Sequence, residues 1–447
     1  MTDLASRFHD APLDTALVAT LSAGGLTPAR VDDADRAQVD AWLGAVARGF
    51  LDGEPNDQRR EAFFDHTAYR RKIGVYDTDA PQPLEPVATF ASWGAALAVP
   101  GGDLPACAIS AVTVSPTHRR RGILRTLMAG ELRTAAEAGF PVAALTVSES
   151  TIYGRFGFGP AAAVADWRLN VRRARWTGPE APGRVDFVTR EQGRALAEAL
   201  HERVRPASPG ELDMPGGHWD RFFGTRPDAE KPELLRVVQY ASPSGEVDGI
   251  ALYTVTENED DFTESSLGLQ VLLAATDEAY AGLWRFFLSM DLIGTIRAPG
   301  LAVDEPLWWM IVDQRAATIT VRDHHYVRIL DVPAALAARR YDVADTVAIE
   351  VVDPLEIAGG PFVLTTDVDG AGFVDTLRVD LGVDPAGLRC VVLGAGGAAR
   401  AVIRALARAG ATEVVVVNRT RVKADAAASL AGAAGRVGRP KNASGAD

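Results

Sequence analysis

Apolar positions along this chain switch repeatedly between the two-residue period of half-buried strands and the longer period of amphipathic helices, which predicts an α/β protein. Residues 27–50 read as a strand and then a helix. Asp32, Asp33 and Asp35 stand where an N-cap is needed, and Ala41, Trp42, Val46 and Phe50 recur on one helical face, so they are expected in the core. Residues 71–75 and 86–93 alternate like antiparallel strands, and Pro100, Gly101, Gly102 and Asp103 mark a turn into a strand that ends at Val112, Thr113 and Val114. Ile123, Leu124, Leu127, Met128 and Leu132 then line one face of a helix that stops at Gly139 before Pro141. The short apolar run 141–147 is expected as a buried strand beside the previous one. Farther on, 249–255 and 267–275 are strand-like and 279–290 is an amphipathic helix, whereas residues 1–25 carry no clear period and read as an N-terminal leader.

Length and composition set outer limits on this pattern. At 447 residues the chain exceeds what one core serves, so about three domains are expected. With 47% hydrophobic and 23% charged residues, no apolar run of about 18 residues and no basic-then-apolar N-terminus, a soluble cytoplasmic protein without membrane segments is expected. Cys107 and Cys390 are the only cysteines and lack a histidine cluster, so neither a disulfide framework nor a metal site is indicated, and both are expected as buried small apolar residues. A net charge of −13 argues against nucleic acid as a partner and would suit a cationic substrate.

Two stretches carry chemistry. After the strand ending at Val114, Pro116 stops the ladder, and Arg119, Arg120, Arg121 and Gly122 fill the turn before the helix opening at Ile123, Leu124 and Arg125. Free amides and the positive dipole end at that helix start, with a glycine for close approach and arginines for charge-assisted bonds, point to an anionic ligand such as a pyrophosphate. The second stretch, S-E-S-T-I-Y-G-R-F-G-F-G-P at 148–160, alternates glycines and aromatics as no regular helix would, and is a shaped loop.

R-R-R-G-I-L resembles the coenzyme A pyrophosphate loop of the GNAT acetyltransferase superfamily, with Leu124 where that family has glycine or alanine. Together with V-A-A-L-T-V-S-E-S-T-I-Y-G-R-F-G-F-G-P it resembles the Eis-type branch, and D-V-P-A-A-L-A-A-R-R-Y at 331–341 is similar to the opening of that branch's third domain. The resemblance implies tandem GNAT-like mixed-sheet domains at 26–180 and 181–320, only the first with an acetyl-CoA site, and the start of a sterol-carrier-like domain at 321–366. It implies a strand that splays at a bulge so that its backbone pairs with pantetheine at Val112, Thr113 and Val114. It further places Arg120, Arg121, Gly122, Ile123, Leu124 and Arg125 on the pyrophosphate, Ser148 and Glu149 beside the coenzyme, and Tyr153 as the general acid that protonates the departing thiolate. Arg155 and Phe156 are expected to brace the loop. The acidic run from Glu257 to Glu264 is expected as a hairpin tip, and His218, Trp219, Trp308, Trp309, His324 and His325 as packing or surface residues.

Beyond residue 366 the pattern changes. Strand 390–393, a turn at Gly394, Ala395, Gly396 and Gly397, a helix from Ala398 and strand 413–417 make a βαβ dinucleotide unit, and Asn418, Arg419 and Thr420 stand where an acidic residue would select NAD, so NADP is implied. This stretch, 367–447, resembles the middle of shikimate dehydrogenases, with Asp369 matching a substrate-domain aspartate. That family's lysine-bearing N-V-T-x-P-x-K motif is absent, so a partial Rossmann segment with weak NADP binding is expected. The expected activity is acetyl transfer from acetyl-CoA to a primary amine of a small molecule or a lysine side chain. The alternatives are an NADP-dependent shikimate dehydrogenase-like oxidoreductase and an inactive acyl-CoA or dinucleotide binding module. Oligomerisation common in the Eis-type branch loses its ground where most of the third domain is replaced.

Overall fold

The computed structural model describes residues 2–341, 345–366, 383–393, 395, 397–418 and 420–438. The chain divides into two compact units, Met1–Ala338 with Asp353–Ala358, and Arg339–Val352 with Gly359–Asp447.

In the first unit, helices α1 (Thr2–Asp10) and α2 (Thr15–Ala23) precede β1 (Thr27–Arg30), α3 (Arg36–Gly49), α4 (Asp57–His66), β2 (Arg71–Tyr76), β3 (Ala88–Val99), β4 (Gly102–Val114), α5 (Ile123–Ala138), β5 (Val142–Thr146), α6 (Ser150–Tyr153) and β6 (Gly159–Asn170). There follow α7 (Val171–Ala174), β7 (Arg184–Val188), α8 (Arg190–Val204), α9 (Gly216–Phe222), β8 (Arg236–Ala241), β9 (Val247–Thr256), β10 (Ser265–Ala274), α10 (Asp277–Leu288), β11 (Ile293–Leu301), β12 (Ala317–Ile329) and α11 (Val332–Ala337). One sheet joins the twelve strands in the order β1-β2-β3-β4-β5-β12-β6-β11-β10-β9-β8-β7. That order is palindromic. Each half has an antiparallel meander leading to one parallel pair, β4 with β5 and β10 with β11. The halves exchange their last strands: β6, from the first half of the sequence, pairs with β11, and β12 pairs with β5. The strand β12 runs across position 320, where the sequence places a domain boundary, because its C-terminal part completes the first half's sheet.

The residues expected as an N-terminal leader of uncertain order form two helices that contribute to the core. Phe8 and Leu17 are fully buried, and Phe8 meets Phe140 edge-on at 5.2 Å. Each helix has only nine residues, too few for a convincing period, and their order comes from tertiary anchors. The buried Arg71 guanidinium forms a two-point pair with Glu131 at 3.0 and 3.2 Å and also donates to the carbonyls of His9, Ala11 and Pro12. Asp35 is the N-cap of α3, accepting from Ala37 and Gln38, and Trp42 is buried as expected; Phe50, just past the helix end, is half exposed instead.

In the second unit, β13 (Asp345–Val351) and β14 (Gly360–Thr366) form an antiparallel hairpin. Separately, β15 (Arg389–Leu393), α12 (Gly397–Arg408), β16 (Glu413–Val417), α13 (Arg421–Ala428) and β17 (Gly435–Val437) build three parallel strands around a core of Val392, Ile403, Leu406, Val414 and Val416. Helix α13 and strand β17 add a βα turn more than the sequence pattern suggests, since their alanine-rich stretch shows little periodicity. Cys107 is buried, but Cys390 is only half-buried.

Candidate active site

The site begins with an extra residue. Ala91 pairs with Ser110 and Thr89 with Thr113, so β4 has one residue more than β3 between these pairs, a bulge at Ala111 and Val112 with Ala111 at φ 50°. Thr89 donates its hydroxyl to the Ala111 carbonyl at 2.8 Å and receives Thr113's at 2.8 Å, which pins the bulge from the β3 side. On its other side β4 pairs with β5 only through Ala106, Cys107 and Ala108, while β5 continues along β12 through Thr146. The two parallel strands therefore part, and the edge of β4 from Ile109 to Val114 that faces β5 has no strand partner among the described residues. Gly49 at the end of α3 closes on Thr113 so tightly that a Cβ there would lie 2.5 Å from the threonine Cβ.

Beyond the cleft, the chain turns through a 3-10 turn at Pro116–His118 and reaches Gly122, at φ 78°, as the N-cap of α5. No side chain caps this helix, so its first amides stay open, and the helix dipole adds positive potential. Arg119, Arg120, Arg121 and Arg125 are exposed around it, Arg120 itself left-handed at φ 64°. Arg121 is tethered: it donates to the Gly24 carbonyl at 3.0 Å and lies 3.8 Å from Asp77, whose carboxylate also meets His118 at 3.0 Å and is held below its ordinary pKa chiefly by that histidine. Arg119, Arg120 and Arg125 have no side-chain partner among the described residues.

The third part is the 148–160 stretch. Past β5, Ser148 and Glu149 are exposed, α6 ends in Tyr153, a 3-10 turn covers Gly154–Phe156, and Gly157 reverses the chain at φ 83°. Tyr153 is half-buried, edge-on to Phe158 at 6.1 Å. Burial first, and the Glu149 charge second, push its phenol above the ordinary pKa, so it carries its proton at neutral pH. Val112, Val114, Leu124 and Tyr153 all pack against one cluster around Ile123, Leu127, Phe156 and Phe158. The structure thus brings together the bulged strand, the start of α5 and the tyrosine loop. Phe156 is buried and braces that loop as expected, but Arg155 projects into solvent and does not.

The second half repeats the splay with different chemistry. A bulge at Gln270 shifts the register of β10 on β9, and β10 leaves β11 after Gly268. Here Thr276 caps α10, accepting from Ala279 at 3.1 Å, and Asp277 and Glu278 occupy the first turn. The amides are partly satisfied and the charge is negative, so an anion is disfavoured where the first half would welcome it. The acidic stretch joins β9 to β10 as a hairpin tip, with Glu264 paired to Arg172 at 2.8 Å. Trp219 and His325 are buried packing residues and Trp309 is exposed.

In the second unit, the helix following β15 and the strand after it are placed as a dinucleotide unit places them. The side-chain amide of Asn418 donates to the Thr420 carbonyl at 3.1 Å. Ala395 is described, as is the backbone of Gly397 and Ala398, while Asp369, Gly394, Gly396 and Arg419 lie outside the described residues.

Comparison with known proteins bears on the fold and the family. Residues 30–161 and 210–329 each match an acetyltransferase (GNAT) domain, and 381–437 match shikimate / quinate 5-dehydrogenase. An uncharacterized N-acetyltransferase of Streptomyces avermitilis is 36% identical over 430 residues, 92% of this chain and 98% of that protein. The N-acetyltransferase Eis of Mycobacterium bovis is 38% identical over 291 residues, 60% of this chain and 65% of that protein. The crystal structure of Eis1 from Mycobacterium abscessus superposes with a TM-score of 0.64 at 28% identity, covering 76% of this chain and 83% of that one. Fold and site thus define a GNAT acyltransferase, a class whose fold implies acetyl-CoA as donor. The chain belongs to the Eis-type GNAT N-acetyltransferases, which transfer acetyl groups to amines, and it carries a partial shikimate dehydrogenase segment besides.

Thr89, Gly49 and the bulge residue Ala111 escape sequence reasoning. Threonine, glycine and alanine are ordinary in such strands and helices, and only the register of β3 on β4 shows what they do.

Proposed function

We propose that acetyl-CoA lies in the cleft between β4 and β5, with the free edge of β4 at Val112, Thr113 and Val114 along its pantetheine arm and the opening amides of α5 on its pyrophosphate. The observation that carries this reading is the junction of a strand edge and an uncapped helix start flanked by arginines, edge and arginines both without partners among the described residues. Acetyl-CoA supplies the activated acyl group. Arg120 and Arg125 bind and orient the phosphates, Gly122 lets the backbone approach them, and Ser148 and Glu149 flank the opposite wall. Tyr153 keeps its proton at neutral pH and delivers it from its hydroxyl to the departing sulfur, an effect typically worth about 10²- to 10⁴-fold in rate. The acceptor is a primary amine of a small molecule or a lysine side chain, favoured as a cation by the net charge of −13. For the β15–α12–β16 unit we propose no more than weak recognition of the adenosine half of NADP.

The test is isothermal calorimetry with acetyl-CoA, followed by thiol release when a small primary amine is added. Saturable binding that Arg120→Ala weakens supports the assignment. Binding unaffected by Arg120→Ala, or none, contradicts it.

A further inference from the structure

Resting on that role for Tyr153, one buried ion pair reaches the same loop from an unexpected part of the chain. Arg328 on β12 donates from Nη2 to Asp353 at 2.5 Å, and the two side chains are 5% and 0% exposed. Asp353 belongs to the segment Asp353–Ala358, which falls between β13 and β14 in sequence yet is part of the first unit. Its carboxylate organises that segment, accepting from the amides of Leu355 at 3.0 Å and of Ile357 and Ala358 at 2.8 Å. Leu355 and Ile357 pack on the cluster that also receives Ile152 and Tyr153.

The other face of Arg328 meets the tyrosine loop. A Cβ at Gly157 would lie 2.9 Å from Nη1 and 3.0 Å from Cδ of Arg328, so the guanidinium rests directly on the glycine backbone. Gly157 closes the turn that begins at Gly154, its amide donating to the Gly154 carbonyl at 3.0 Å, and Phe158 donates back to the Tyr153 carbonyl at 3.4 Å. A planar, charged group held by a buried carboxylate is a rigid floor for that turn.

We propose that Arg328 and Asp353 are positioning residues for acetyl transfer: the pair holds the Gly154–Phe158 turn from below and thereby fixes where the Tyr153 hydroxyl points. The 353–358 segment is then a working part of the acetyltransferase half, although the sequence around it is that of a different domain. Neither residue touches the reacting atoms. Their effect on turnover passes through Tyr153, which distinguishes this role from the pair's contribution to folding.

The experiment uses the full-length chain and Asp353→Asn, which keeps the size of the side chain and removes its charge. Amide hydrogen exchange across 150–158 should quicken by about tenfold or more while exchange in α5 stays the same. With acetyl-CoA and a small primary amine, kcat should fall about tenfold with KM for acetyl-CoA within about twofold, and in a Tyr153→Phe background the same substitution should change kcat less than about twofold. Arg328→Lys, which keeps a charge but loses the flat fork, should give the same pattern and serves if Asp353→Asn does not fold. Unchanged exchange at 150–158, or an equal fall in kcat with and without the Tyr153 hydroxyl, overturns the proposal. Absence of thiol release from the unmodified chain would instead count against the proposed function, and the exchange result would still decide the clamp.

Discussion

The hydroxyl of Thr89 donates to the carbonyl of Ala111 at 2.8 Å, across the one register shift between β3 and β4. That carbonyl sits at the bulge, where the threonine hydroxyl serves it from β3. Thr89→Val keeps the shape and removes this donor from a buried carbonyl. A loss of about 1 to 3 kcal/mol in unfolding free energy is expected, with acetyl-CoA affinity falling as the bulge relaxes. Urea denaturation and calorimetry on the same variant check both, and unchanged affinity would mean that the bulge does not shape the cleft.

The arginines of the α5 loop should not be equal. Arg120 and Arg125 have no side-chain partner among the described residues and are offered to phosphate, whereas Arg121 is occupied by Gly24 and Asp77. If each charged phosphate contact is worth about 1.5 to 3 kcal/mol, Arg120→Ala and Arg125→Ala should each weaken acetyl-CoA binding by tenfold or more. Arg121→Ala should cost less affinity and instead loosen the 24–26 turn. Calorimetry at two salt concentrations separates these outcomes, since phosphate contacts weaken as salt rises.

Arg71 and Glu131 tie the N-terminal helices to the sheet. Removing one partner of a buried ion pair typically costs about 3 to 5 kcal/mol because the other charge is stranded. Glu131→Ala should therefore strongly destabilise the first unit and expose residues 1–25 to protease, and urea titration with limited proteolysis reads both effects. Intact protection of that stretch would contradict the assignment of Arg71 as its anchor.

Asp353 predicts a pH dependence of stability. Burial pushes its carboxyl up, but the Arg328 hydrogen bond and the backbone amides outweigh burial and hold it at about 2, below its ordinary 3.8. A folded pKa below the unfolded one means that the ionised group stabilises above the ordinary value and that this contribution disappears as pH falls towards 2. The stability gap between the unmodified protein and Asp353→Asn should thus be constant from pH 7 to about 4 and shrink below it. Urea midpoints at pH 7, 4 and 3 would show this, and a gap that does not change would contradict it.

Much of this arrangement is legible in the sequence because local signals and tertiary need agree. The strand at 112–114, the glycine before Ile123, the stop at Gly139 and the glycine-aromatic loop around Tyr153 all state their conformation in residue types. What is not legible depends on register and on distance along the chain. Two helices of nine residues are held by Arg71, sixty residues away from Glu131 and from the Ala11 carbonyl in either direction. The exchange of β6 and β12 between halves leaves no mark in either strand's pattern, since each pairs with a strand on both sides whichever half it completes. Arg328 and Asp353 look like ordinary surface charges until the fold closes them together with Gly157.

The most direct test of the central claim compares the unmodified protein with Tyr153→Phe, measuring acetyl-CoA affinity by calorimetry and thiol release with a small primary amine in the same preparations. The account predicts affinity unchanged within about twofold and turnover reduced at least tenfold, because the hydroxyl acts when the sulfur departs. Equal turnover in the two proteins would remove Tyr153 from the chemistry and contradict the account.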